Sequence, residues 1–163
     1  EPYVTIYQGS IIGKNTIIRS GARIGAEDLE IKVDAEGNFL MVKHGGGVII
    51  EEDVEIGHNA VVDRAVFRYD HTKIGKETKV GSLSLVAHGS KIGVKNKIMP
   101  GTIISGSTII NNNNWIGPNT VIANQVHIGS NTHITMGSVL FEDLKDNCSF
   151  INNRILKDKN IFK

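Results

Sequence analysis

A period of six residues constrains this chain more than any other feature. Every sixth residue from Ile50 reads Ile50, Ile56, Val62, Arg68, Ile74, Val80, Val86, Ile92, Ile98, Ile104, Ile110, Ile116, Ile122, Ile128 and Ile134. Fourteen of these fifteen positions are Ile or Val, and only Arg68 departs. With hydrophobic residues at 40% of the chain, chance does not produce such a run. Six is neither the 3.6 period of a helix nor the alternation by two of an antiparallel strand. It fits short strands joined by tight turns, three hexads making one triangular coil. The aliphatics of stacked coils then fill a prism at the interstrand spacing of about 4.8 Å. The expected fold is all-β, a left-handed parallel β-helix of hexapeptide repeats. The small residue after the aliphatic, as in Gly57, Gly75, Gly81 and Gly117, is expected to turn each corner at positive φ.

Two interruptions mark the ends of the regular run. An earlier stretch with Ile12-Gly13, Ile18 and Ile24-Gly25 keeps the period, but the step from Ile24 to Ile50 overshoots four hexads by two positions. Residues 26–47 are therefore expected to leave the helix as a hairpin turning at Asp34-Ala35-Glu36-Gly37-Asn38. Long excursions from a compact scaffold tend to carry function. After Phe141 the rhythm is lost. The expected organisation is a β-helix over 1–140, with 26–47 extruded, and a C-terminal cap or tail over 141–163 that covers an open strand edge.

Composition narrows the functional classes. Eighteen basic against 17 acidic residues leave a net charge of +1, with no footprint for nucleic acid. No apolar run exceeds four residues, too short for a transmembrane span. One cysteine, Cys148, allows no internal disulfide and suits a reducing compartment, so a cytoplasmic location is expected.

Six histidines are present, and His88 has the most informative surroundings. It lies two positions after Val86, where a side chain points outward at a turn. Positions three hexads apart stack on successive coils, which makes Asp70 and Gly106 its expected vertical neighbours. A carboxylate one coil away would orient the imidazole as a base. On the other side, a glycine N–H can approach a developing oxyanion with no side chain between. Zinc is not expected: His71 and His127, the nearest histidines to His88, do not fall at the spacing of a ligand set, and His127 and His133 lie on different faces. Asp63-Arg64 reads most simply as a surface ion pair, and Asn111–Asn114 and Trp115 as packing.

Glu55-Ile56-Gly57 through Val62-Asp63-Arg64, then Val86-Ala87-His88, then Ile103-Ile104-Ser105-Gly106-Ser107, then Val121-Ile122 resemble the UDP-3-O-acylglucosamine N-acyltransferases of lipid A synthesis. The hairpin before Gly46-Gly47-Val48-Ile49-Ile50 resembles that family's insertion. The resemblance implies transfer of an acyl group from an acyl carrier protein or coenzyme A thioester to the amine of a nucleotide-linked sugar, with no bound cofactor or metal. It implies His88 as general base and Gly106 as oxyanion donor, to which the spacing adds Asp70 as the carboxylate assisting His88. Asp63 and Arg64 would bind substrate, together with Ser82, where the family has asparagine, and Gln125, where it has a second histidine. Family members are homotrimers with sites at subunit boundaries. The family's N-terminal uridine-binding domain has no counterpart in these residues. Two other readings stand beside this one: an acetyl-CoA-dependent O- or N-acetyltransferase for surface-polysaccharide sugars, and a non-catalytic β-helix assembly subunit.

Overall fold

The computed structural model describes residues 1–156. Short strands wind through three mainly parallel sheets, each hexad contributing one strand to one face of a prism. The first face runs from Thr5–Ile6 through Arg23–Ala26, Val61–Asp63, Leu85–Val86, Ile103–Ile104 and Val121–Ile122 to Val139–Leu140. A second face runs from Ser10–Ile12 through Gly47–Ile50 and His71–Ile74 to His127–Ile128. The third runs from Ile17–Ile18 to Ser149–Ile151 and closes with one antiparallel strand, Arg154–Leu156. In the regular part the register is three hexads per coil, as in Lys73↔Lys91, Lys91↔Ile109 and Ile109↔His127. No helix among the described residues is long and apolar enough to cross a membrane, which leaves strand-built barrels unaddressed.

The period-six aliphatics fill the prism. Ile24, Ile56, Ile104, Ile122 and Ile134 are wholly buried, each such side chain contributing roughly 1.5–3 kcal/mol. Two positions before many of these aliphatics a small polar side chain is also buried, and several of these find a carbonyl on the next coil. Thr78 Oγ1 donates to Gly93 O at 2.8 Å, and Ser90 Oγ donates to Ser105 O at 3.0 Å. This satisfies the hydroxyls that burial takes from water.

The corner chemistry differs from the expectation. Positive φ belongs to the third residue after the aliphatic: Lys95, Ser107, Asn113, Asn119, Gln125 and Asn131 all lie between 55° and 63°. The glycine directly after the aliphatic is needed for space instead. A Cβ at Gly81 would sit 2.4 Å from Pro100 N, and one at Gly117 would sit 2.5 Å from Met136 N. Coils stack too closely there for any side chain.

Two stretches, residues 26–47 and the hexad around Arg68, are insertions into single coils. Ile12 pairs with Ile50 and Ile18 with Ile56, so the early run shares the columns of the later one. Within residues 26–47, Ile31–Val33 and Phe39–Met41 form an antiparallel hairpin. Asp34 Oδ1 holds its turn, accepting from Glu36 N at 3.0 Å and Asn38 N at 2.8 Å. The second insertion explains Arg68. Val62 lies on the first face and Ile74 on the second, so the hexad holding Arg68 is extra chain that loops out. Because the insert is one hexad long, the numerical phase survives it.

These excursions interlock. Gly46 N donates to Ala65 O at 3.0 Å and Gly45 N to Val66 O at 2.9 Å. A Cβ at Gly46 would lie 2.6 Å from the carbonyl oxygens of Phe67 and Asp70. The Gly45-Gly46-Gly47 run thus admits the second loop's backbone. Beyond Phe141 winding continues with a shorter coil: Leu144 bridges Ile128 and Phe150 pairs with Ile134, each step two positions short of three hexads. Residues 157–163 of the expected cap lie outside the described residues.

Candidate active site

His88 stands at the corner between the first and second faces, its side chain 20% exposed. Gly106 lies one coil on, and the imidazole rests across it. A methyl group there would fall 2.4 Å from His88 Cε1 and 2.5 Å from Nε2. The Gly106 N–H enters no hydrogen bond among the described residues. A base and a backbone donor are therefore adjacent with nothing between them.

Asp70 is not the vertical neighbour of His88. The extra hexad lengthens the first-face register here, Leu85↔Val61 and Val86↔Val62, so Arg64 occupies the corresponding position one coil below. Asp70 reaches the site from the second loop and lines a cavity of about 230 Å³ with Glu30, Lys32, Phe67, His88 and Ser107. Its Oδ1 accepts from Lys91 Nζ at 2.5 Å and from His71 N at 2.8 Å. Burial works against its ionisation, but the hydrogen bonds from Lys91 and His71 and the Lys91 charge prevail and lower its pKa.

The carboxylates closest to His88 come from the hairpin. Nε2 lies 4.0 Å from Asp28 Oδ2 and 3.8 Å from Glu30 Oε2. His44, also on this excursion, packs its ring edge-on against His88 with centroids 5.7 Å apart. It is 3% exposed. Its Nδ1 lies 3.1 Å from Val42 O, and a carbonyl only accepts, so Nδ1 carries the proton. Nε2 is left buried without a partner. Sequence reasoning misses these three residues because no local pattern joins them to His88. The available signal is the glycine run, which marks where the excursion presses against other backbone.

Asp63 and Arg64 are not a surface ion pair. Asp63 is 4% exposed, and burial pushes its carboxyl from 3.8 up to about 7, with the Asp28 charge adding to the rise. Arg64 turns the other way, Nε donating to Gly25 O at 2.6 Å and an Nη to Gln8 O at 3.0 Å. It ties the excursion's root to an earlier coil. Gln125 lies on the corner of His88, two coils along, its N–H donating to Gly106 O at 3.0 Å. Ser82 lies on the neighbouring corner, where its Oγ accepts from His58 N at 3.2 Å, so one chain does not bring it to His88.

A larger, shallower depression of about 650 Å³ on the third face includes Lys79, Lys97, Trp115 and His133. The indole and imidazole stack there at 4.3 Å. We place the candidate site at His88 despite its smaller cavity, because there the base, the open backbone donor and both insertions converge. Among the described residues no group of three or more His, Cys, Asp or Glu is arranged to hold a metal ion.

Residues 107–142 match the family model described as bacterial transferase hexapeptide (six repeats). A crystal structure of a UDP-N-acetylglucosamine acyltransferase superposes with a TM-score of 0.79 at 25% identity, over 94% of this chain and 56% of that one. The corresponding enzyme of Bacteroides fragilis superposes at 0.78 with 21% identity, over 94% and 57%. The domain is a left-handed hexapeptide-repeat β-helix. Among curated relatives, the UDP-3-O-acylglucosamine N-acyltransferase of Coxiella burnetii is 42% identical over 85 residues. That match covers 52% of the hexapeptide-repeat chain and 24% of the relative.

Proposed function

We propose that this β-helix transfers an acyl group from a thioester to the amine of a nucleotide-linked amino sugar. The observation that carries the reading is the His88 imidazole lying over Gly106 at the mouth of a roofed cavity. The names of the curated relatives supply the acceptor class, and their shared repeat supports the transfer. In this scheme the amine nitrogen attacks the thioester carbonyl carbon while His88 takes a proton from it. The carbonyl oxygen becomes an oxyanion that the Gly106 N–H stabilises. Collapse breaks the carbon–sulfur bond, and the imidazolium returns its proton to the departing thiolate, leaving an amide and a free thiol.

The donor is an acyl carrier protein or coenzyme A, whose extended pantetheine arm suits a groove between parallel prisms of a homotrimer. Asp70 acts through Lys91 and the second loop, as a positioning residue. Asp63 contributes a buried carboxyl beside Asp28, only partly ionised near neutral pH because its pKa is pushed up to about 7. Ser82 and Gln125 would meet substrate only where prisms adjoin, and Arg64 acts by anchoring the hairpin root.

His88→Ala tests the reading. With UDP-3-O-acylglucosamine as acceptor, turnover is expected to fall by about 10²–10⁴-fold while thermal stability and oligomeric state are kept. Near-normal turnover would remove His88 as the base.

A further inference from the structure

We propose that Asp28 and Glu30 are the receptor for the acceptor's amino group in its ammonium form, which makes the hairpin the element that selects an amine over a hydroxyl. This rests on the reading above and adds residues to it.

Geometry comes first. His88 Nε2, Asp28 Oδ2 and Glu30 Oε2 are all acceptors when the histidine acts as a base, and the two carboxylate oxygens stand 4.0 Å and 3.8 Å from Nε2 without hydrogen-bonding to it. That is beyond a hydrogen bond, yet one nitrogen can bridge such a gap with bonds of about 2.8 Å. An ammonium group has three donors and no acceptor. It satisfies Nε2 and both carboxylates at once, whereas a hydroxyl has one proton to give and leaves two acceptors short.

Two further observations point the same way. The Nε2 of His44 is buried without a partner on the ring that packs against His88, and in the neutral ring it is a further acceptor. Charge agrees. Asp28, Glu30 and Asp70 face the region, against Lys32 and Lys91, and Lys91 is already bonded to Asp70. The surplus is negative and favours a cation.

The proton balance is complete. Bound as R–NH3⁺, the acceptor loses two protons in becoming the amide nitrogen. One passes through His88 to the thiolate sulfur. The other leaves by way of a hairpin carboxylate to solvent.

The test compares UDP-3-O-acylglucosamine with its 2-hydroxyl analogue, binding of each measured by calorimetry without donor, in wild type and in the Asp28→Asn, Glu30→Gln double variant. Wild type is expected to bind the amine at least about tenfold more tightly, charge-assisted hydrogen bonds being the stronger class. The double variant is expected to bind both alike. Its KM for the amine rises about tenfold while kcat changes less, and thermal unfolding is unaltered. A preserved preference in the double variant overturns the proposal, as does wild type binding both acceptors alike or neither. If His88→Ala abolishes turnover and the preference survives in the double variant, only the hairpin's role fails. If His88→Ala keeps its turnover, the underlying reading fails.

Discussion

The coils between Ile74 and Leu140 and those between Ile12 and His71 obey one packing rule and differ in what they carry. In the later coils every hexad places one strand on one face, and the cores are uninterrupted. In the earlier coils two excursions leave the prism and press against each other through Gly45, Gly46 and the carbonyls of Ala65 and Val66. His88 belongs to the regular part, but its charged neighbours belong to the excursions. A repetitive prism offers flat, equivalent corners, and nothing in the repeat itself makes one corner a site. The insertions break that equivalence by bringing Asp28, Glu30, His44 and Asp70 to a single corner.

The division of labour predicts opposite sensitivities, and the largest effect belongs to the scaffold. Ile104 is wholly buried in the coil that follows His88's, so Ile104→Ala is expected to cost about 2–5 kcal/mol of stability in denaturant unfolding. Leu40, 51% exposed on the hairpin, is expected to lose no more than about 0.5 kcal/mol on the same change. Comparable losses would mean that the hairpin is part of the folding core.

A smaller effect sharpens the contrast where excursion and scaffold meet. Asp63 holds its proton more tightly when folded, its pKa rising from 3.8 to about 7. Its contribution to stability is therefore full below about 3.8 and is lost as pH climbs through about 7. Asp63→Asn removes that dependence. Melting curves from pH 5 to pH 8 should show the variant gaining on wild type as pH rises. Parallel curves would show that Asp63 is not confined with Asp28 as described.

Much of the fold is legible in the sequence because its cause is local and repeated. An aliphatic at every sixth position demands a buried column, whatever the intervening residues are. What is not legible comes from non-local geometry. Arg68 signals an insertion, yet an insert of one hexad preserves the count, and counting alone then sets Asp70 one coil below His88. The small residue after the aliphatic is conspicuous, which makes glycine the natural candidate for turning the corners. Asn, Lys, Ser and Gln two positions later take that conformation instead, as at Asn113, Lys95, Ser107 and Gln125. The pairing of His88 with Gly106 is within reach of the sequence, since both lie in unbroken coils, one turn apart. Asp28 and Glu30 are not: they are remote from His88 in sequence and reach it only through a hairpin whose docking depends on backbone contacts.

The claim that the excursions turn one corner of a plain prism into a site is tested most directly by removing one of them. Residues 27–44 would be replaced by a short Gly-Ser linker that keeps the Gly45–Gly47 contact. Acyl transfer to UDP-3-O-acylglucosamine would then be measured beside thermal unfolding. The predicted result is a cooperatively folded β-helix with transfer lost. Transfer at the wild-type rate would contradict that claim, and so would collapse of the fold.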